Sequence, residues 1–575
     1  MRSQFNRILG NITRSFSVTS TTTLVPDFST FPIEQIIIIS LVRISDPIAF
    51  TSLHPYVYYM VQEFGIADTE ADIARYVGYL SSVFAFSQFL TCYHWGRFAD
   101  RFGRKPTMMI GITGSAISWL ILGFAKNYYW AFFARFLNGL LDGNVAIVST
   151  LVAENVGTKK KKHQALGFAS ITLVWEIGSA VGSMIGGFLS GKNAVSGVEW
   201  LTDSFPYALP NIIISSLLGL SLVIGLFFME ETHFQLKYRR DHFIDFADNV
   251  RVKLLRLKPR ERAWHRPRLY SISEESPLLG DTDSITSYKS QVTVDEYAVS
   301  GDEESGSSSI SVEIVKESSW EVLSKPAIFY GVVGDFILTL HITINNQFLP
   351  IFLAYEIARD PQTGSLISHF PFHIQGGLSY SAQDIGELLS MTGILGIIIV
   401  VFIFPYANHH YEPLTIYKTM IKAYPIIYTL VPYLTLLANY KGLSMAATLF
   451  HISVKSITSS VASPQILILI QTLAPENQRG MVNGAIISIT AFARTMAPIV
   501  WGYLFAFAEA NSIAWVGWWS LSLFGLVAIY FGRFLTDKDV ADEDDKAALA
   551  ENTRSSNKML QNTFKARSLE GTLVI

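Results

Sequence analysis

Long apolar runs separated by short polar segments dominate the chain. A bilayer core about 30 Å thick requires about 20 apolar residues for each helix that crosses it. Twelve such runs predict helices at residues 33–60, 76–95, 107–125, 128–153, 165–190, 206–229, 326–354, 384–406, 414–438, 444–472, 482–508 and 513–535. The pattern therefore predicts an all-α membrane protein with twelve transmembrane helices.

The distribution of basic residues predicts how these helices are oriented. Basic residues collect in the connections after the second and fourth helices, at 97–105 and 159–162, whereas the connection at 62–74 carries four acidic residues. Lysine and arginine are enriched in cytosolic connections. We therefore expect both termini and every even-to-odd connection to lie in the cytosol.

A long polar segment divides the apolar runs into six and six. It begins with a basic stretch suited to an anionic membrane surface, and it continues as an acidic, Ser-rich stretch too poor in apolar residues to fold alone. Two six-helix halves are the architecture that alternating access uses. The predicted parts are an N-terminal tail 1–30, a first half 31–235, a disordered cytosolic loop 236–318, a second half 319–536 and a C-terminal tail 537–575.

Composition excludes several other classes of protein. Only 16% of the residues are charged, against about a quarter in soluble proteins, and the net charge of -3 indicates no nucleic-acid partner. The single cysteine, Cys92, excludes an internal disulfide and a CxxC metal site. With no nucleophile triad, HExxH or phosphate-binding loop, we expect neither an enzyme nor a bound metal or cofactor.

The turn after the second predicted helix carries the segment "WGRFADRFGRKP". A generic basic loop would explain its cations, but not two glycines and an acid in a G-x3-D-x2-G-R-K pattern. The segment resembles the signature loop of the major facilitator superfamily, in which the acid and the basic residues form a cytosolic latch. The resemblance implies a twelve-helix transporter fold in which Asp100 faces the helix start near Asn483 and Gly484. The implied gating residues are Gly96, Asp100, Arg101, Gly103, Arg104 and Lys105.

Further segments resemble particular branches of this superfamily. "ARFLNGLLDGN" resembles its arginine motif, with Arg135 in place, and "GSAVGSMIGG" resembles the antiporter motif except that Ser183 replaces a proline. The glycines of the second segment are spaced for close helix packing; they are Gly178, Gly182, Gly186 and Gly187. "EETH", "YPIIYTLVPYL" and "RGMVNGAIISITAFARTMAPIVWGYLF" are similar to the zinc-induced facilitator-like group of drug:proton antiporters. The Cys-Pro-Gly-Cys segment of its plant members is missing, so zinc is not carried over as substrate.

Several ionisable residues lie inside the predicted helices, where each is a candidate for function. Arg43 and Asp46 share a helix face, and Pro47 follows directly. The others are Arg135, Asp142, Glu176, Asp335, His341, His451, Lys455 and Arg494. Opposite charges can simply neutralise one another, but a buried carboxylate without a permanent partner can take up and release protons near neutral pH.

Roles can be suggested for some of these ionisable residues. Asp46 is the first candidate for proton coupling, followed by Asp142 and Glu176. Lys455 is the candidate for a fixed positive charge or a contact to an acidic substrate. Arg135 requires an acid partner, for which Asp46 and Asp142 are the candidates.

The segment "EESPLL" has the form of an acidic dileucine sorting signal, with Glu274, Leu278 and Leu279 as its determinants. It resembles signals that adaptor proteins read to direct cargo to the vacuole or lysosome. We therefore expect a vacuolar membrane protein, with the plasma membrane as the alternative.

These features together predict a secondary transporter. It would exchange a small solute for protons across a membrane, with lipid and a sorting adaptor as further partners. Ser183, together with the amides at Asn346 and Gln347, leaves a uniporter or symporter for sugars or amino acids open. A transport-inactive sensor that signals through the long middle loop is the alternative from another class.

Overall fold

The computed structural model describes residues 32–156, 161–192, 197, 199–233, 236–256, 262, 264, 319–474 and 479–536. The predicted terminal tails, most of the predicted cytosolic loop and the dileucine signal with Glu274, Leu278 and Leu279 lie outside these residues. The described part of the chain is almost entirely helical.

The first half contains α1 (Ile33–Arg43), α2 (Ser45–Ser52), α3 (Val57–Glu63), α4 (Glu70–Phe102), α5 (Arg104–Gly123), α6 (Tyr128–Leu141), α7 (Asn144–Val156), α8 (Lys161–Leu189), α9 (Glu199–Thr202) and α10 (Ala208–Phe228). A 3-10 turn at Leu236–Tyr238 and α11 (His242–Leu255) follow. The second half contains α12 (Ser319–Leu323), α13 (Pro326–Ala354), α14 (Ala382–Ile398), a π-helical segment Ile399–Ile403, α15 (Phe404–His410), α16 (Pro413–Ile421), α17 (Ala423–Leu430), a 3-10 segment Val431–Leu437, α18 (Lys441–Leu473), α19 (Arg479–Ala510) and α20 (Trp515–Gly532).

Nine of these helical units within the described residues are long and apolar enough to cross a membrane, or ten if the bent α1–α3 unit is included. The two remaining predicted runs correspond to α4, whose apolar stretch is interspersed with Ser, Gln and His, and to α6–α7, which is interrupted at Asp142. Large apolar side chains such as Ile117, Leu220 and Leu523 are more than half exposed on the outside of the bundle, as expected where lipid is the solvent. The fold is that of a helical membrane protein, and the count of twelve spans stays a prediction.

Local sequence signals explain where many helices begin. The Thr69 hydroxyl accepts from the Asp72 backbone N–H at the start of α4, and Asn127 caps α6 in the same way. Ser381 and Asp384 form a reciprocal capping box at the start of α14. Each cap satisfies backbone N–H groups that a helix start leaves without partners.

Two predicted helices are broken at positions that the apolar pattern did not show. The first is interrupted at Ile44, because Pro47 has no N–H to bond the Arg43 carbonyl, and it bends by 51° before α3. The predicted helix 128–153 is interrupted at Asp142 and Gly143. A Cβ at Gly143 would meet the Trp95 ring at 2.5 Å, so this close approach requires glycine.

Part of the predicted disordered loop is folded, and this prediction was wrong for the segment that contains α11. Asp241 caps α11 by accepting from two backbone N–H groups, and its carboxylate also accepts from Lys105 Nζ at 2.6 Å. The ring of Phe243 packs 5.7 Å from that of Phe227 in α10. A cap, an ion pair and an aromatic contact together give this short helix the tertiary support that its composition did not suggest.

The two halves meet at the end of the bundle that carries Glu63, Glu70 and Tyr355, which we call the far end. A Cβ at Gly187 of α8 would lie 2.7 Å from Gly386 Cα of α14. The Glu70 carboxylate accepts from the Tyr58 hydroxyl at 2.5 Å and from the Glu356 backbone N–H at 2.9 Å. Backbone packing and hydrogen bonds therefore hold the halves together at the far end.

Candidate functional site

The first cluster of charged side chains lies at the two helix breaks. Arg43 Nη1 donates to Asp46 Oδ2, and these side chains are 8% and 13% exposed. Gln88 Nε2 donates to Asp142 Oδ2 at 3.0 Å. Asp142 also interacts electrostatically with Asp46, Arg43 and Arg494. The breaks at Ile44 and Asp142 thus place two carboxylates and Arg43 near one another inside the bundle, Arg494 of α19 acts on Asp142 from the second half, and Asp46 is paired with Arg43.

A second cluster joins the two halves near the middle of the bundle. Lys455 Nζ of α18 donates to Asn346 Oδ1 of α13 at 2.9 Å. The Ser460 hydroxyl of α18 donates to Glu176 Oε1 of α8 at 3.5 Å, and Glu176 also lies against Gly396 of α14. Glu176 and Lys455 interact electrostatically, but neither belongs to an ion pair within the described residues. Of the two charged clusters, this one places a carboxylate between the halves with no ion-pair partner among the described residues.

Aromatic rings of α2, α4 and α8 contact one another, and we call this group around Phe50 the aromatic wall. The Phe50 ring centroid lies 6.0 Å from that of Phe84 and 5.9 Å from that of Trp175, and His54 packs edge-on against Phe50 at 5.4 Å. Sequence reasoning missed these residues because aromatic side chains make up 13% of the chain and nothing local marks the ones that converge. Such a wall can bind a flat or apolar solute.

Arg135 is stabilised differently from what the sequence suggested. Its guanidinium carbon lies 4.4 Å from the ring centroid of Phe84 and 5.7 Å from that of Trp119. It forms no ion pair with Asp46 or Asp142 in the described part of the structure. Its close contacts within the described residues are therefore two aromatic faces, whose negative electrostatic potential attracts a cation, and Asp142 acts on it electrostatically without forming an ion pair.

His341 is part of the packing of the second half. Its Nε2 lies 3.0 Å from the Leu521 carbonyl oxygen, and its ring lies 4.9 and 5.1 Å from those of Tyr424 and Tyr428. It is fully buried. Its hydrogen bond and ring contacts are made with α17 and α20, and Lys455 of the second cluster acts electrostatically on its imidazole.

The predicted gating loop is anchored by an acid from the end of α10. Gly103 adopts a φ of 106°, which favours glycine. The backbone N–H groups of Arg104 and Lys105 donate to the Glu231 carboxylate at 2.9 and 3.1 Å. Sequence reasoning used "EETH" only as a family signature and missed this role. Glu231 occupies the position where a helix N-terminus favours an anion.

The side chains of this loop make mostly intrahelical or same-half contacts. Arg104 bonds Asp100 at 2.5 Å and Glu154 at 3.1 Å, and Asp100 is 67% exposed. The Arg101 guanidinium stacks over the neighbouring Phe102 ring. Gly96 lies within α4 with no described atom within 4 Å of the site of a Cβ. The side chains of Asn483 and Gly484, the expected partners of Asp100, lie outside the described residues.

The glycines of α8 let this helix approach α2 and α14 closely. A Cβ at Gly178 would lie 2.5 Å from Pro47 Cγ. One added at Gly182 would meet the Ile48 carbonyl, and one at Gly186 the Ser52 carbonyl. Gly187 points instead to the second half. One glycine-rich face therefore packs the broken first helix, and the next residue along packs the opposite half.

Comparison with known proteins agrees with this architecture. The family model described as Major Facilitator Superfamily matches residues 39–498. The chain is 30% identical over 552 residues to the "Major facilitator superfamily multidrug transporter mfsB" of Aspergillus fumigatus, covering 92% of this chain and 87% of that protein. It is 26% identical to "Protein ZINC INDUCED FACILITATOR 1" of Arabidopsis thaliana, covering 83% and 85%. The crystal structure of a D-xylose-proton symporter shares the fold with a TM-score of 0.54 at 12% identity, covering 88% of this chain and 98% of that one.

Proposed function

The chain belongs to the major facilitator superfamily of small-solute transporters, and we propose that it exchanges its solute for protons by alternating access. The match to a multidrug transporter over most of the chain supports a drug-like small molecule as the solute. The aromatic wall around Phe50 and Trp175 supports an apolar or flat solute. The family consists of transporters, and the chain is not an enzyme.

The position of Glu176 carries the proposal of proton coupling. It contacts Gly396 and Ser460 of the opposite half and belongs to no ion pair in the part of the chain that the structure describes. Asp46 was the first candidate from the sequence, but its carboxylate forms an ion pair with the Arg43 guanidinium. Asp46 is therefore not a carboxylate without a cationic partner. A carboxylate between two moving halves couples protonation to motion, because its charge changes the free energy of one arrangement relative to the other.

The coupling step follows from the neighbours of Glu176. When Glu176 is protonated, it stays packed against α14 and bonded to Ser460, and Lys455 stays on Asn346. When Glu176 loses its proton, the buried carboxylate attracts Lys455, which must leave Asn346. This exchange of partners changes the contact between α8, α13 and α18, and so biases which end of the bundle is open.

Proton flux in proteoliposomes that contain a pH-sensitive dye tests this assignment. The panel of solutes is organic cations, neutral drugs, amino acids, sugars and metal ions. We expect Glu176→Gln to abolish solute-driven proton movement while solute counterflow persists, and the exposed Glu412→Gln to behave as wild type. Proton movement of wild-type size in Glu176→Gln would exclude Glu176 as the coupling residue. Solute uptake without proton movement in the wild type would establish a uniporter instead.

We further propose that both termini face the cytosol and that the protein resides in the vacuolar membrane. The basic connections support the orientation, and the "EESPLL" segment supports the location. Epitope tags at both termini should be accessible from the cytosol only. The double substitution of Leu278 and Leu279 by alanine should move the protein to the plasma membrane, and unchanged vacuolar residence would contradict the sorting role.

A further inference from the structure

An apolar groove opens on the outer surface of the second half, between α17 with its 3-10 continuation and α18. It has a volume of about 430 Å³ and is lined among others by Ala423, Ile427, Leu434, Ala447 and His451. Its rim residues Ile426, Leu430 and Phe450 are 65%, 57% and 71% exposed. The small side chains of Ala423 and Ala447 leave the space between the helices unfilled. This volume lies in the range of sites for drug-sized molecules.

The polar lining residue of the groove is His451. The side chain is 8% exposed, and its imidazole has no hydrogen bond within the described part of the structure. The other lining residues are alanine, valine, leucine, isoleucine and phenylalanine. A lipid chain cannot satisfy an imidazole nitrogen, and an unsatisfied polar group in an apolar medium is costly. The groove therefore favours an occupant that brings one hydrogen-bonding group.

The depth of His451 restricts what that occupant is. It lies ten residues after Lys441, the first residue of α18, or about 15 Å along the helix axis. In a hydrocarbon core about 30 Å thick this is close to the middle of the bilayer. Phospholipid headgroups lie at the surface and do not reach this depth. The hydrogen-bonding group must therefore belong to a molecule that is apolar enough to enter the core.

The charge near the groove restricts the occupant further. Lys455 follows His451 by four residues, on the same face of α18, and acts electrostatically on its imidazole. The positive charge of Lys455 disfavours a positively charged occupant next to His451. A neutral group that donates to or accepts from the imidazole is compatible with it.

We propose that the groove between α17 and α18 is a binding site for a neutral amphiphile, with a compact apolar body and a hydroxyl or carbonyl group that bonds the His451 imidazole. The occupant enters from the membrane, either as a solute on its way into the transport path or as a resident membrane component. The site does not depend on proton coupling, so it stands or falls independently of the role of Glu176.

Binding of radiolabelled progesterone to the full chain in lipid nanodiscs tests the site. This steroid is neutral and apolar, and its carbonyl groups accept hydrogen bonds. We expect His451→Phe to weaken binding about tenfold, since one hydrogen bond to a buried group is lost. Ala447→Trp, which fills the groove, should abolish binding. Leu443→Trp introduces the same side chain at an exposed position of α18 outside the groove, and it should leave the affinity unchanged.

Photolabelling of the wild-type protein gives a result that does not depend on the folding of variants. The conjugated ketone of progesterone crosslinks on irradiation, and we expect label in peptides that contain residues 423–454. Transport of the bound steroid into sealed liposomes would identify the groove as an entrance for the solute. Binding without transport would identify a resident ligand. Each of these two results supports the binding site. Label confined to other peptides, or equal affinity in all variants, would overturn it.

Discussion

The ion pair between Arg43 and Asp46 gives a prediction whose sign and asymmetry follow from the structure. Both side chains are nearly buried, and removing one partner of a buried pair costs about 3–5 kcal/mol, because the other charge is left uncompensated. Asp142 lies close to both residues, where it is attracted by Arg43 and repelled by Asp46. The two single substitutions should therefore differ.

Arg43→Gln should be the more destabilising of the two. It leaves Asp46 and Asp142 facing each other without Arg43, so we expect a loss of about 5 kcal/mol in the free energy of unfolding. Asp46→Asn leaves Arg43 next to Asp142, which compensates part of its charge, so we expect about 3 kcal/mol. The double variant should recover to within about 1 kcal/mol of wild type, since no uncompensated charge of the pair remains.

Equilibrium unfolding of purified variants in one detergent measures these differences. Lys192→Gln is the matched control, because its ion pair with Glu63 at 3.0 Å is exposed and should contribute at most about 1 kcal/mol. A double variant as unstable as Arg43→Gln would refute the reasoning. So would Asp46→Asn with a larger loss than Arg43→Gln.

Three further substitutions test the far end and the glycine face of α8. Gly186→Ala places a Cβ on the Ser52 carbonyl within one half and should reduce the stability of the protein by about 1–3 kcal/mol in unfolding experiments. Gly187→Ala places it on Gly386 of the other half, so spin-label distances across the far end should lengthen while unfolding of the halves changes little. Glu70→Gln weakens two hydrogen bonds at the same end and should raise the population that is open there about tenfold in the same distance measurement. Unchanged distances in both of these variants would contradict the assignment of the contacts to closure.

The candidate site was predictable where its chemistry is local. Arg43 and Asp46 are three residues apart on one helix, so their contact follows from helix periodicity, and Pro47 already marked a break. The α8 glycines follow from spacing in the same way. By contrast, the contact of Ser460 with Glu176 joins residues 284 positions apart. No local pattern specifies such a pair.

For Arg135 the structure shows two aromatic contacts beside the electrostatic interaction with Asp142, one of the two acids that the sequence suggested. A buried guanidinium has two ways to recover its solvation, an acid or an aromatic face, and residue type alone does not distinguish them. The structure places Phe84 and Trp119 beside it and leaves Asp46 to Arg43. Whether a buried guanidinium meets an acid or an aromatic face depends on how neighbouring helices pack side by side, and not on the sequence of any single helix.

The sequence by itself determined that the chain is an integral membrane protein, its helical character and its family. These properties depend on hydrophobicity summed over about 20 residues and on a short signature loop, and both are local. The tertiary structure decided which charges pair, that Glu176 lies between the halves, and that His451, with no hydrogen bond among the described residues, lines a groove. The reason is that apolar helices pack in the membrane through small residues and scattered polar contacts, so their neighbours are fixed by side-chain fit across the bundle and not by the pattern along each helix.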